Sequence, residues 1–130
     1  MPFILVKHID GSINALEHTY FMKDGEGANI GDVLKQDANG RLTKATGTDV
    51  PEFVSYRKQA AETPSKTPMA VIRITAADEF ETTATAAIAN SGGKVTIHTD
   101  GAQVTATTTG GVFLISDTDG DKKVRGYFRR

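Results

Sequence analysis

Apolar and polar residues alternate most clearly in the last third of the chain. In "KVTIHT" (94–99) Val95 and Ile97 alternate with Lys94, Thr96 and His98, until Asp100-Gly101 interrupts the run. "AQVTATTT" (102–109) resumes a short-period pattern up to Gly110-Gly111. "VFLIS" (112–116), "DTDGD" and "KKVRGYF" (122–128) follow. Four strand-like runs divided by Asp-Gly or Gly-Gly predict a meander of β-hairpins, because a period of two places one face of a strand on a core. An earlier hairpin is predicted in "GDVLKQDANGRLTKATG" (31–47), with Val33 and Leu34 before the turn and Leu42 after it. Its Asn39-Gly40 pair suits a type I′ turn, in which both central residues take positive φ.

The middle of the chain is less periodic. Two prolines make "ETPSKTP" (62–68) a loop, and its flanks "EFVSYRK" and "MAVIRIT" read as strands, although residues 52–61 also fit one short helix. In "TAADEFETTATAAIANSGG" (75–93), Thr75 and Asp78 resemble a helix start, and Phe80, Ala84 and Ile88 repeat every four residues. The β-branched run "FETTAT" favours a strand at about residues 79–85 instead. "PFILVKHI" reads as an extended arm or edge strand and "ALEHTYFMKD" as a further strand, and "DGEGANIGD" is a glycine-rich connector.

Composition strengthens this picture. Among 130 residues there are seventeen threonines, thirteen glycines and no tryptophan, a usage that suits pleated strands and tight turns. The predicted fold is all-β: one small β-barrel or β-sandwich built from hairpins, with at most one short helix. Residues 1–14 form the arm or edge strand and 15–130 the β domain. A formal net charge of −1 without long like-charged runs argues against a nucleic-acid surface, which needs clustered cations. The five apolar residues of "PFILV" are too few for a signal peptide, and no run reaches the roughly 18 residues of a membrane span. No membrane partner is expected.

Candidate chemistry is sparse. With no cysteine, disulfides, thiolate metal sites and thiol nucleophiles are excluded. Asp117, Asp119 and Asp121 alternate like the opening ligands of a calcium loop. Position six of that loop, which needs glycine, is Lys122, and position twelve, which needs glutamate, is Phe128. A polar hairpin tip at Asp119-Gly120 is the better reading. "GEGANIG" (25–31) matches no phosphate-binding spacing. His8, His18 and His98 are scattered beyond the spacing of paired metal ligands. No catalytic signature appears, so no catalytic residue, metal or cofactor is assigned and the protein is expected not to be an enzyme. Phe53, Tyr56, Phe80, Phe113, Tyr127 and Phe128 suit a core or a subunit interface better than a stacking platform.

In the order of its blocks, "GDVLKQDANGRLTKATGTDVPEFVSY", "MAVIRITAADEFETTATA" and "KVTIHTDGAQVTATTTGGVFLISDTDGDKKVRGYF", the chain resembles the capsid decoration, or cement, proteins of tailed bacteriophages over roughly residues 19–128. The resemblance implies a compact β domain made in the host cytoplasm and carried on the outer capsid surface of the virion. Its implied partners are the major capsid protein and further copies of itself, as a trimer or other small cluster. The apolar terminus, Pro2, Phe3, Ile4, Leu5 and Val6, is a candidate capsid-docking arm, able to add a strand to a sheet edge of the shell; an ordinary first strand is the equal alternative. A small β-sandwich or barrel binding a glycan or protein ligand is the alternative function.

Overall fold

The structure is a computed structural model and describes residues 2–10 and 14–129. Met1, residues 11–13 of the stretch assigned to the arm, and Arg130 of the basic C-terminus lie outside the described residues. The described residues form ten strands: β1 (Ile4–His8), β2 (Leu16–Glu17), β3 (Val33–Gln36), β4 (Leu42–Lys44), β5 (Phe53–Ser55), β6 (Val71–Arg73), β7 (Asp78–Thr83), β8 (Lys94–Val95), β9 (Phe113–Thr118) and β10 (Lys123–Phe128). They form two five-stranded sheets, ordered β1-β7-β10-β9-β8 and β2-β6-β5-β3-β4. Every strand pair is antiparallel. The fold is all-β, with no helix among the described residues, and its two sheets pack as a small sandwich.

The main core lies between the sheets. Phe80, Phe113 and Phe128 project inward from the first sheet against Val33, Val54 and Ile72 of the second. Phe113 and Phe128 meet edge to face at 4.9 Å, and Phe80 and Phe128 at 5.5 Å, the geometry that the charge distribution of aromatic rings favours. Gly126 makes this packing possible. A Cβ there would lie 2.2 Å from the Leu114 carbonyl oxygen and 2.8 Å from the Phe113 ring, so only glycine fits where β10 pairs with β9 beside the irregularity at Arg125/Gly126.

The middle of the second sheet is buried on both faces. Leu34, Leu42, Phe53 and Val71 point away from the first sheet into a second cluster, which Met22, Ala28 and Met69 complete. These last three come from irregular chain, so loops form a third layer over the sheet. Polar contacts hold that layer: the Ser65 amide donates to Asp24 at 2.8 Å, and Glu62 accepts from the Thr67 hydroxyl at 2.8 Å. The Thr67 bond first, then the Lys66 amide, holds the Glu62 carboxyl below its ordinary range.

Several expectations need correction. The turn after β3 is not type I′: Gly40 has φ +75°, but no described non-glycine residue has positive φ. The Asp37 carboxylate shapes this turn instead, accepting from the Asn39 and Arg41 amides at 2.8 and 3.0 Å. Residues 52–61 hold only the short strand β5, with no helix. Residues 102–109 do not form a regular strand; Val104 makes isolated bridges to Ala84 and Ile97. Threonine hydroxyls compete for backbone there: Thr105 Oγ1 accepts from the Thr107 amide at 3.0 Å and meets Thr96 Oγ1 at 2.6 Å. The strand expected at 79–85 exists as β7. The Thr75/Asp78 pair caps a turn rather than a helix, with the Thr75 amide donating to Asp78 at 2.9 Å.

The two sides of the sandwich are finished differently. On one side Gly47 and Ile97 exchange backbone hydrogen bonds of 2.7 and 3.0 Å, and the Val33 amide donates to Gly101 at 2.9 Å, which stitches the sheets together. The β4 edge there is covered by residues 21–23 through the Leu42–Phe21 and Lys23–Leu42 bonds, both 2.8 Å. On the other side β1 and β2 are the outermost strands of their sheets.

Candidate docking surface

Of the proposed docking residues, Phe3 is 2% exposed and belongs to the main core. Its ring lies 5.2 Å from Phe128 and 5.6 Å from Phe113. Leu5 packs against the same core, Pro2 is half-buried, and Ile4 and Val6 are exposed at 48% and 37%. The segment is therefore the edge strand of the first sheet, anchored in the interior. β1 pairs with β7 from Ile4↔Glu81 to His8↔Asp78, with a bulge at Val6.

Both ends of β1 are fastened. At the start, the Phe3 amide donates to the Gly31 carbonyl at 3.0 Å. Gly31 has φ +87°, and a Cβ on it would fall 2.3 Å from Pro2 Cβ, so the connector must carry glycine where the terminus crosses it. At the far end, His8 Nδ1 lies 2.5 Å from Asp78 Oδ1. The Asp78 carboxylate is fully buried and also accepts from Asn14 Nδ2 at 2.8 Å. A buried carboxylate needs several donors to offset its lost hydration, and here they come from both sides of the β1–β2 connection.

Between Phe3, Ile4 and Leu5 on one wall and Ile30, Gly31 and Tyr56 on the other lies an apolar depression of about 260 Å³. Ile30 is 59% and Tyr56 44% exposed. All six large apolar side chains exposed among the described residues lie either in β1, its continuation and β2 (Ile4, Val6, Ile9, Leu16) or in this depression (Ile30, Tyr56). Partial burial first, then the nearby Asp78 charge, raises the Tyr56 phenol above its ordinary value. Next to Ile4 on the outer face, Lys7 is 60% exposed, with its ammonium 3.8 Å from Glu79. Glu79 is buried and accepts from the Ser116 hydroxyl at 2.8 Å.

Sequence reasoning picked out Pro2–Val6 and, as an aromatic, Tyr56; it passed over Ile30. The available signal was a lone branched apolar residue in the otherwise small and polar connector "GEGANIGD". The other aromatics separate cleanly. Phe53, Phe80, Phe113 and Phe128 are buried in the two cores, and Tyr127 is half-buried.

The aspartate-rich segment is a hairpin tip between β9 and β10. Asp119 Oδ1 accepts from the Asp121 and Lys123 amides at 2.8 and 3.3 Å, and Asp117 Oδ1 accepts from the Thr118 amide at 2.9 Å. Asp119 thus caps its turn as Asp37 caps the β3–β4 turn. Among the described residues, no group of three or more His, Asp or Glu is placed to hold a metal ion. Among the described residues no helix is long and apolar enough to cross a membrane. No family model, curated protein or solved structure matches the chain.

Proposed function

We propose that the chain is a non-enzymatic structural protein that binds the outer surface of an assembled tailed-phage capsid and stabilises it. Its partners are the major capsid protein and neighbouring copies of itself, and its place is the virion exterior after synthesis in the host cytoplasm. The block-by-block resemblance to decoration proteins supports this reading. The observation that carries it is the unequal finish of the sandwich: one side is stitched and covered, and the other concentrates Ile4, Val6, Ile9, Leu16, Ile30 and Tyr56 in the open. Exposed apolar patches rimmed by polar residues mark protein-binding surfaces. A ligand that binds only the assembled shell stabilises it by mass action, and repeated weak contacts on a lattice add avidity.

The test is sedimentation of the protein with purified heads. Saturable binding and greater resistance of the heads to heat or osmotic shock are expected, and heads that stay bare at micromolar protein sink the proposal. A sandwich module for a glycan or protein ligand is the competing reading, which the exposed Tyr56 beside an apolar depression favours. A glycan-array signal lost in Tyr56→Ala would select it.

A further inference from the structure

We infer that Asn39 is a site of spontaneous covalent modification, where the Gly40 amide nitrogen closes on the Asn39 side chain and leaves aspartate and isoaspartate in its place. The chain has four asparagines, at 14, 29, 39 and 90. Asn14 is held: its Nδ2 donates to the Arg73 carbonyl at 2.9 Å and to Asp78 Oδ2 at 2.8 Å. Asn29 and Asn90 are followed by Ile30 and Ser91, whose side chains crowd the attacking nitrogen, Ile30 the more because it branches at Cβ. Asn39 has neither restraint. It is exposed in the β3–β4 turn, and its carboxamide makes no hydrogen bond among the described residues. Gly40 is exposed too, and even a Cβ placed on it would meet nothing within 4 Å, so its nitrogen is approached without hindrance.

The hold on Gly40 is slight. The Asp37 carboxylate accepts from the Asn39 and Arg41 amides but not from the amide between them, which has a single 3.1 Å bond to the Asp37 carbonyl. A bond in an exposed turn opens locally more often than the sheet it borders. Once it is open, the Gly40 N–H gives its proton to hydroxide and the nitrogen attacks Asn39 Cγ. The N–Cγ bond forms, the Cγ–Nδ2 bond breaks, and ammonia departs with a proton from water, leaving a five-membered cyclic imide. Water then opens the ring. Breaking the new N–Cγ bond gives aspartate, whereas breaking the original peptide bond gives isoaspartate, in which the chain runs through the former side chain. Either way one water is consumed, one ammonia is released and one carboxylate is gained. That charge enters a depression of about 400 Å³ lined by Lys23, Asp24, Asp37, Asn39 and Arg41, where two cations and two carboxylates balance beforehand. Isoaspartate also adds a backbone atom inside the turn, which the Asp37 amide closes by donating to the Arg41 carbonyl at 2.7 Å.

The test ages wild-type protein in solution well below its melting temperature, at neutral pH and one unit above, beside the same chain unfolded in guanidinium. Peptide mapping by mass spectrometry follows each asparagine, and electron-transfer fragmentation separates aspartate from isoaspartate. Product is expected at position 39 before 14, 29 or 90, as both isomers. Its rate is expected to be about tenfold greater at the higher pH, as the deprotonated fraction of the amide is. The folded chain is expected to react within about tenfold of the unfolded one, the factor that one surface hydrogen bond is worth. A folded chain slower than that would show that the turn protects Asn39 and would overturn the inference. So would product appearing first at any other asparagine, or a rate indifferent to pH. None of these measurements involves heads, so their outcome is independent of the proposed function.

Discussion

Replacing Phe3 by alanine separates an integral strand from a loose arm. The ring is 2% exposed and touches both Phe113 and Phe128, so truncation removes an interior side chain and leaves a hole in the aromatic cluster. Buried Phe→Ala changes cost about 3–5 kcal/mol. β1 is an edge strand, paired on one side only, and can shift to refill part of the space, which puts the expected loss near the lower end, about 3 kcal/mol. Against a typical total of about 5–15 kcal/mol this is a large fraction. At about 4 °C per kcal/mol for a domain of this size, the melting temperature falls by roughly 12 °C. With no tryptophan in the chain, urea unfolding is best followed by far-ultraviolet circular dichroism, with Ile4→Ala as the exposed control, expected within about 1 kcal/mol of wild type. A Phe3→Ala midpoint matching that control would refute the placement of β1 in the core.

Gly31→Ala is expected to destabilise by about 2 kcal/mol or more, since a side chain at positive φ alone costs about 1–2 kcal/mol and its Cβ would collide with Pro2; urea midpoints measure it, and a neutral result would refute the tight crossing. Asp119→Ala removes an acceptor of two turn amides and is expected to cost about 1 kcal/mol, while added calcium leaves the wild-type melting temperature unchanged; a calcium gain abolished by the substitution would restore the metal-loop reading. Asp32 is buried, and desolvation raises its carboxyl pKa despite hydrogen bonding to the Asn29 amide and a Lys44 ammonium 3.8 Å away. The folded state therefore holds this proton over a pH range where the unfolded chain has released it, and stability falls as pH rises from the ordinary carboxyl value through the raised one. Asp32→Asn should flatten that slope, so the variant gains on wild type between acid and neutral pH in a series of urea titrations; parallel pH profiles would refute the assignment.

What could be read from the sequence follows from how many faces of each element are buried. β9 and β10 were legible because Phe113 and Ile115, and Val124 and Phe128, line one inner face while their neighbours meet solvent. β5 was ambiguous because Phe53 points into one core and Val54 into the other, which erases the alternation that marks a strand. The loop layer was not foreseen, since Met22 and Met69 fall inside the apolar runs "ALEHTYFMKD" and "MAVIRIT", which read as strands, and Ala28 stands in a glycine-rich connector with no period. The same limit hid part of the candidate docking surface. β1 announced itself as an apolar run, whereas Ile30 and Tyr56 reach it only through the pairing of β3, β5 and β6.

An open sheet edge is a liability that proteins usually cover, charge or bend. Here the covering devices are spent on the stitched side, while β1 keeps its edge with Ile4 and Val6 exposed and relies on the Val6 bulge and Lys7 for protection. The bulge leaves Val6 unpaired between Leu5↔Phe80 and Lys7↔Glu79, so deleting Val6 would join two stretches already in register without turning either over. The deletion variant is therefore expected to fold with a straighter and flatter β1, and to associate through it where wild type does not. Size-exclusion chromatography with light scattering over a concentration series measures this. A folded Val6 deletion that stays monomeric at every concentration at which wild type is monomeric would show that the bulge does not guard the edge, and that Lys7 alone keeps copies of this chain apart.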